Sequence, residues 1–188
     1  MQTMRPVLFY TVGLPGAGKT TFARSLSTWL GAEHLRGDII GLELFRFPTY
    51  SPQERQMVYA EMAHRAGTAL AAGRPVLYDA AVNTRAQRSA LDTLARRHGG
   101  RALGLWIHTP EDIAQKRAGK LRDSRLVGPV ARIIPPHVFA RYVAAFEAPA
   151  AQEQCIVISG QAPFALQYRR LQRQLRPELL GVLPKLLS

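Results

Sequence analysis

The chain has 188 residues, 47% of them apolar and 20% charged, with a net charge of +12. That length fits one domain spanning 1–188 whose core needs no staples, and the balance excludes intrinsic disorder and fibrous repeats. Every basic residue except Lys19, Lys116, Lys120 and Lys185 is arginine, so either the surface is built for phosphate-rich partners or the charge is a solvated by-product of arginine-rich codon usage.

Val7-Leu8-Phe9-Tyr10-Thr11-Val12 is a short β-branched and aromatic run ending at Gly13, the pattern of a buried strand. A helix is expected from Lys19 to Leu30, with Phe22, Leu26, Trp29 and Leu30 as its apolar stripe and Gly31 as its stop. His34 to Asp38 is a weaker strand. Ser51-Pro52-Gln53-Glu54 joins an N-cap, a proline at the first helical position and a capping-box acid, which predicts a long helix to about Ala72. Pro75 to Asp79 reads as a central strand with an acid at its end. Asn83 or Thr84 caps the next helix, whose stripe is Ala86, Ala90, Leu91 and Leu94.

Ala102 to Ile107 is a fourth strand, and Thr109-Pro110 opens another helix. The basic and proline-rich stretch from about 116 to 136 is expected to be an ordered, movable lid. His137 to Glu147 is helical in pattern, and Cys155 to Ile158 is a fifth strand. A last helix places Phe164, Tyr168, Leu171 and Leu175 on one face, with Arg169, Arg170, Arg173 and Arg176 elsewhere; the helix and tail together span 161–188. The apolar tail from Pro177 packs on the body or forms a dimer contact, so monomer and homodimer both stay open. Strands alternating with helices predict a parallel sheet covered on both sides.

Cys155 is the single cysteine, which fits a reducing cytoplasm, and the scattered histidines show no pair at metal-ligand spacing. No stretch reaches the roughly 18 apolar residues of a membrane span, and Met1 to Tyr10 lacks a signal-peptide pattern. A cytoplasmic protein without a membrane partner is expected.

Gly13-Leu14-Pro15-Gly16-Ala17-Gly18-Lys19-Thr20 matches G-x-x-x-x-G-K-[ST] in full, between a predicted strand and a predicted helix. The glycines let successive N–H groups curl around phosphate oxygens, and the helix adds the positive end of its dipole. Lys19 is placed to bridge the β- and γ-phosphates, Thr20 to offer a hydroxyl to Mg²⁺, and Thr21 to lie near the α-phosphate. The expected ligands are ATP or GTP with Mg²⁺. No Asn-Lys-x-Asp base-reading motif of G proteins is present, and the chain is short for a helicase.

Phosphoryl transfer needs a group to orient the acceptor hydroxyl, a Mg²⁺ environment and cations around the phosphoryl group. Asp38, at the tip of the weak second strand, suits the first, with Arg36 on the same strand face; otherwise Asp38 caps a helix from Ile39. Asp79 has the Walker-B arrangement for Mg²⁺, or else caps the next turn. Lys116, Arg117, Lys120, Arg122 and Arg125 form a basic cluster that either reaches the phosphates or is a solvated helix end.

Together the loop Gly13 to Thr21, Asp38, the Ser51-Pro52 helix, Val76 to Ala80, Arg88 after Asn83, and Arg117 to Arg125 resemble the P-loop kinases. The relatives in question are the kinase domain of polynucleotide kinases and the zeta-toxin-like kinases, within the AAA-type ATP-binding domains. The resemblance implies a five-stranded parallel sheet in the order 2-3-1-4-5. It also implies Asp38 as base and Arg117, Arg122 and Arg125 as stabilisers of the transferred phosphoryl group. Two departures stand out: Gly41 occupies the position of an acceptor-side arginine, and Ala81 that of a threonine. Arg36, Arg46 and Arg85 are candidates to compensate.

The expected activity is therefore ATP-dependent phosphorylation of a hydroxyl, with a nucleic-acid 5′ end favoured because phosphate contacts dominate non-specific nucleic-acid affinity. The alternatives are a small-molecule kinase acting on a nucleoside, sugar or antibiotic, with Phe45, Phe47 and Tyr50 lining its pocket, and a nucleotide-dependent switch or nucleic-acid-binding ATPase.

Overall fold

A computed structural model describes residues 5–49, 51–120 and 133–175. The elements in chain order are β1 Val7–Val12, α1 Lys19–Leu30, β2 Glu33–Arg36, α2 Gly37–Leu44, α3 Pro52–Ala71 and β3 Val76–Asp79. Then follow α4 Arg85–Arg97, β4 Arg101–His108, α5 Glu111–Ala118, α6 Pro136–Ala144, β5 Cys155–Ser159 and α7 Phe164–Gln174. All strand pairs are parallel, and the five-stranded sheet has the order β2-β3-β1-β4-β5. This is the fold and strand order expected from the sequence.

Helices cover both faces of the sheet, so the side chains of the central strand are buried whichever way they point. Val7 and Phe9 of β1 join Phe22, Leu26, Tyr168 and Leu171 under α1 and α7. Leu8, Tyr10 and Val12 join Met62, Leu70, Leu91 and Ala95 under α3 and α4. Trp29 is less buried than its stripe implied, 40% exposed, because it closes the α1–α7 seam from the rim, its ring 5.6 Å from that of Tyr168.

Two local expectations change, and one open alternative is decided. The second strand stops at Arg36, and Asp38 lies in the first turn of α2 instead of at a strand tip, where its carboxylate accepts the Ile39 N–H. An acid is favoured there by the exposed amides of a helix start. Of the two expected caps of α4, Thr84 is the one used, in a reciprocal capping box with Gln87. Finally, α4 turns Arg88, Leu91 and Ala95 inward and leaves Ala86 and Ala90 exposed. That rotation follows from a buried ion pair: the Arg88 guanidinium grips both carboxylate oxygens of Glu153, at 2.6 and 3.0 Å, and donates to the Glu147 carbonyl at 2.9 Å.

Arg122, Arg125, Tyr50, Arg176 and the tail from 177 lie outside the described residues, as do residues 121–132 of the lid expected over about 116–136. Among the described residues, no helix is long and apolar enough to cross a membrane. Burial pushes the Cys155 thiol up to about 12, which leaves it protonated and unreactive near neutral pH.

Candidate active site

The Gly13–Gly18 loop joins β1 to α1 and is held from three sides. The Asn83 amide clasps Gly13 from below, its Oδ1 accepting the Gly13 N–H at 2.9 Å and its Nδ2 donating to the Gly13 carbonyl at 3.3 Å. Asn83 is itself fixed, since its N–H donates to Gln87 Oε1 and its carbonyl accepts the Glu147 N–H, both at 3.0 Å. The Arg88–Glu153 pair thus buttresses the loop through the 147–153 segment. From β4 and β5, Thr109 donates its hydroxyl to the Ala17 carbonyl at 2.9 Å.

On the third side, α5 presses on Gly16, which has φ +80°, and a Cβ there would overlap the Ala114 carbonyl oxygen. Gly160 is equally tight: a Cβ would run into the Thr109 hydroxyl and the Ala17 carbonyl. No side chain caps the start of α1 at Gly18, so its first amides are left for an anion. The Lys19 ammonium folds over the loop, donating to the Gly13 and Leu14 carbonyls at 2.8 and 2.9 Å.

Asp79 ends β3 beside this loop. Its Oδ1 lies 3.3 Å from the Thr20 hydroxyl and its Oδ2 3.2 Å from His34 Nε2, while Thr11 bonds the neighbouring Ala80 carbonyl. A hydroxyl and a carboxylate oxygen converging beside a phosphate-sized loop are the hard oxygen donors that Mg²⁺ takes, with phosphate and water completing its shell. No group of three or more His, Cys, Asp or Glu that could cage a metal occurs among the described residues, and a phosphate-bound Mg²⁺ does not require one.

Asp38 stands on the same β2–β3 side. Arg36 holds its carboxylate in a bidentate grip, Nε to Oδ1 at 3.1 Å and Nη2 to Oδ2 at 2.6 Å. Both acids, with Lys19 and Thr20, line one cavity of about 300 Å³. Its other walls come from α2 and α3, with Phe45, Val58 and Tyr59, and from Tyr142 of α6.

The structure therefore brings together Lys19, Thr20, Asp38 and Asp79. Arg117 is turned elsewhere, donating to the Gly160 carbonyl at 3.0 Å on the β5 side of the loop. Thr21 is exposed on the first turn of α1. Of the acceptor-side aromatics, Phe45 lines the cavity and Phe47, 79% exposed, points away with the Arg46 guanidinium over its ring. None of the expected substitutes for the arginine missing at Gly41 enters the cavity wall: Arg36 is taken by Asp38, Arg46 by Phe47, and Arg85 sits at the start of α4 beside Arg88.

Sequence reasoning missed Asn83 as a loop clasp, His34 as the partner of Asp79, Gly160 as a close-approach site, and Tyr59 and Tyr142 as cavity walls. No local pattern marks them; only the parallel register, which sets Arg36 opposite Asp79, brings His34 within reach.

The sheet order and the glycine loop between its first strand and first helix define the class of a P-loop α/β fold. Residues 8–149 match the AAA domain family, and the chain belongs to it. No curated protein sequence matches the chain significantly. Among solved structures it is similar to an unliganded sugar kinase from a Janibacter species, 19% identical over 97% of this chain and 99% of that one, with a TM-score of 0.66. A gluconokinase from Sinorhizobium meliloti is 18% identical over 97% and 93%, with a TM-score of 0.60. An APS kinase from Mycobacterium tuberculosis, in complex with AMPPNP and APS, is 16% identical over 90% and 96%, with a TM-score of 0.64. At these identities the likeness shows the shared fold.

Proposed function

We propose that this chain is an ATP-dependent kinase that phosphorylates a hydroxyl of a small molecule. The observation that carries the reading is the cavity of about 300 Å³ that joins Asp38 and Asp79 to Lys19 and Thr20. Its size suits a small ligand, and its walls come from α2, α3 and α6. The sugar kinase, gluconokinase and APS kinase among the structural neighbours support the same direction. Arg36, Arg65, Arg74, Arg88 and Arg96 each pair with an acid, so the number of arginines does not by itself argue for a nucleic-acid acceptor.

In this reading the 13–18 loop and the first amides of α1 hold the ATP phosphates, and Lys19 swings from the loop carbonyls onto them. Thr20 and Asp79 would hold Mg²⁺, which would supply neutralisation of the phosphate charge. Asp38, oriented by Arg36, accepts a hydrogen bond from the acceptor hydroxyl and takes its proton as the new oxygen–phosphorus bond forms and the bond to ADP breaks. The products are ADP, the phosphorylated acceptor and a proton. Arg117, Arg122 and Arg125 remain proposed stabilisers of the transferred group.

The test measures ADP release with sugars, sugar acids and 5′-hydroxyl oligonucleotides as acceptors. Turnover with a small hydroxyl compound is expected, and Asp38→Asn should lower it by about 10²- to 10⁴-fold while leaving nucleotide affinity unchanged. Phosphorylation of oligonucleotides alone would restore the polymer acceptor, and hydrolysis with no phosphorylated product would favour a switch or ATPase.

A further inference from the structure

The acceptor cavity has two cationic walls among its lining residues, Lys19 on the loop side and Arg55 on α3. Lys19 is bound to the loop carbonyls and belongs to the phosphate end. Arg55 is different. It projects from the first turns of α3, is exposed to solvent, and no carboxylate among the described residues pairs with it.

The acids around it are engaged elsewhere. Asp38 is gripped by Arg36, Glu54 accepts the Thr49 N–H at 2.7 Å, and Asp79 faces Thr20 and His34. Opposite, α2 supplies no cation at all: Gly41 is buried and bare, and a Cβ there would just touch Val58 Cγ2, at 3.6 Å. Among the described residues Arg55 is thus the one guanidinium lining the cavity, where Phe45, Pro48, Glu54, Val58 and Tyr59 surround it. Its field reaches Tyr59, where it opposes the rise in hydroxyl pKa that burial causes. A fixed fork of donors beside a small cavity is the arrangement that selects an oxyanion.

Resting on the kinase reading above, we infer that Arg55 makes the acceptor an anionic small molecule, a hydroxyl compound that also carries a carboxylate or phosphate group. The anion docks on α3 at Arg55, with the two tyrosines beside it, and this leaves the hydroxyl end of the acceptor to Asp38. The guanidinium also offsets the repulsion between an anionic acceptor and the ATP phosphates. Position 41 can remain glycine because the cation comes from the neighbouring helix, and the space left there admits the body of the acceptor.

Matched probes test this on the full chain with ATP and Mg²⁺: D-gluconate against glucose, and ribose 5-phosphate against ribose. Both turnover and calorimetric binding to the nucleotide-loaded protein are measured. At least one anionic member should bind about tenfold or more tightly than its neutral partner, and which pair responds separates carboxylate from phosphate. Arg55→Gln should raise KM for that anion by about tenfold to a hundredfold, with kcat and nucleotide affinity unchanged, and Arg55→Lys should recover part of the loss. Equal handling of both members of each pair, binding of neither anion, or an Arg55→Gln protein with unchanged KM for the anion would overturn the inference. Arg55-dependent anion binding without ADP release would instead sink the kinase reading and leave the anion site standing. Efficient turnover of neutral acceptors alone would do the reverse.

Discussion

The two halves of the site are held in different ways. The nucleotide half is set in backbone and buried partners: Asn83 clasps Gly13, Thr109 bonds Ala17, and Gly16 and Gly160 leave no room for a Cβ. The acceptor half is set in side chains on α2 and α3, some exposed, with Asp38 fixed chiefly by its neighbour Arg36. The first half tolerates little because its constraints are shared with the core. The second is less constrained: Gly41 has room for a Cβ and Arg55 is exposed. Mutations in the two halves should therefore separate cleanly in their readouts, stability and nucleotide affinity on one side, acceptor turnover on the other.

The largest effect on the nucleotide half is expected from Gly160→Ala. The new methyl group must displace the Ala17 carbonyl or the Thr109 hydroxyl, an overpacking that costs about 3 kcal/mol and shifts the loop itself. Thermal melting and nucleotide titration should both report the loss; a variant with unchanged nucleotide affinity would show that the β5 side does not shape the loop.

A smaller effect is expected from Glu153→Gln, which leaves the buried Arg88 guanidinium facing a neutral amide. The cost is about 2 kcal/mol of stability, with part of it passed to the loop through Glu147 and Asn83. The Arg88 hydrogen bond holds the Glu153 carboxyl below the ordinary carboxylate range. A depressed folded-state pKa gives stabilisation that is complete above the ordinary carboxylate pKa and lost as pH falls through the folded value. The stability gap between wild type and Glu153→Gln should therefore narrow in acid, as followed by urea unfolding across pH; a gap that widens there contradicts the assignment.

The smallest effect is expected from Arg36→Gln. It breaks a part-buried pair whose side chains are 14% and 35% exposed, so stability should change by about 1 kcal/mol. Loss of the bidentate grip should lower turnover by about tenfold through misorientation of Asp38, with nucleotide affinity unchanged. If Arg36→Gln weakened nucleotide binding instead, the division between the halves would fail.

Much of this was legible in the residues themselves. The strand at Val7–Val12, the helix starts at Lys19 and Pro52, and the glycine loop between them rest on local periodicity, capping and backbone freedom, which neighbouring residues dictate. Asp79 was legible for the same reason, as an acid at the end of an apolar run. The limits appear where two distant segments meet. Asp38 was expected on a strand and lies on a helix, and α4 turned a charged residue inward because Glu153, 65 positions away in sequence, receives it. Asp38 at a helix start was the alternative that the residues left open, whereas the inward turn of Arg88 has no local signature.

The sequence by itself determined the class of fold and the phosphate-facing loop, because both are written in short-range patterns of glycine, hydrophobic period and caps. Only the tertiary structure decided which cation faces the cavity beside Asp38. Arg36, Arg46, Arg55 and Arg85 are chemically identical along the chain, and they differ only in what folding sets beside each: an aspartate, a phenylalanine ring, an open cavity, and a buried arginine.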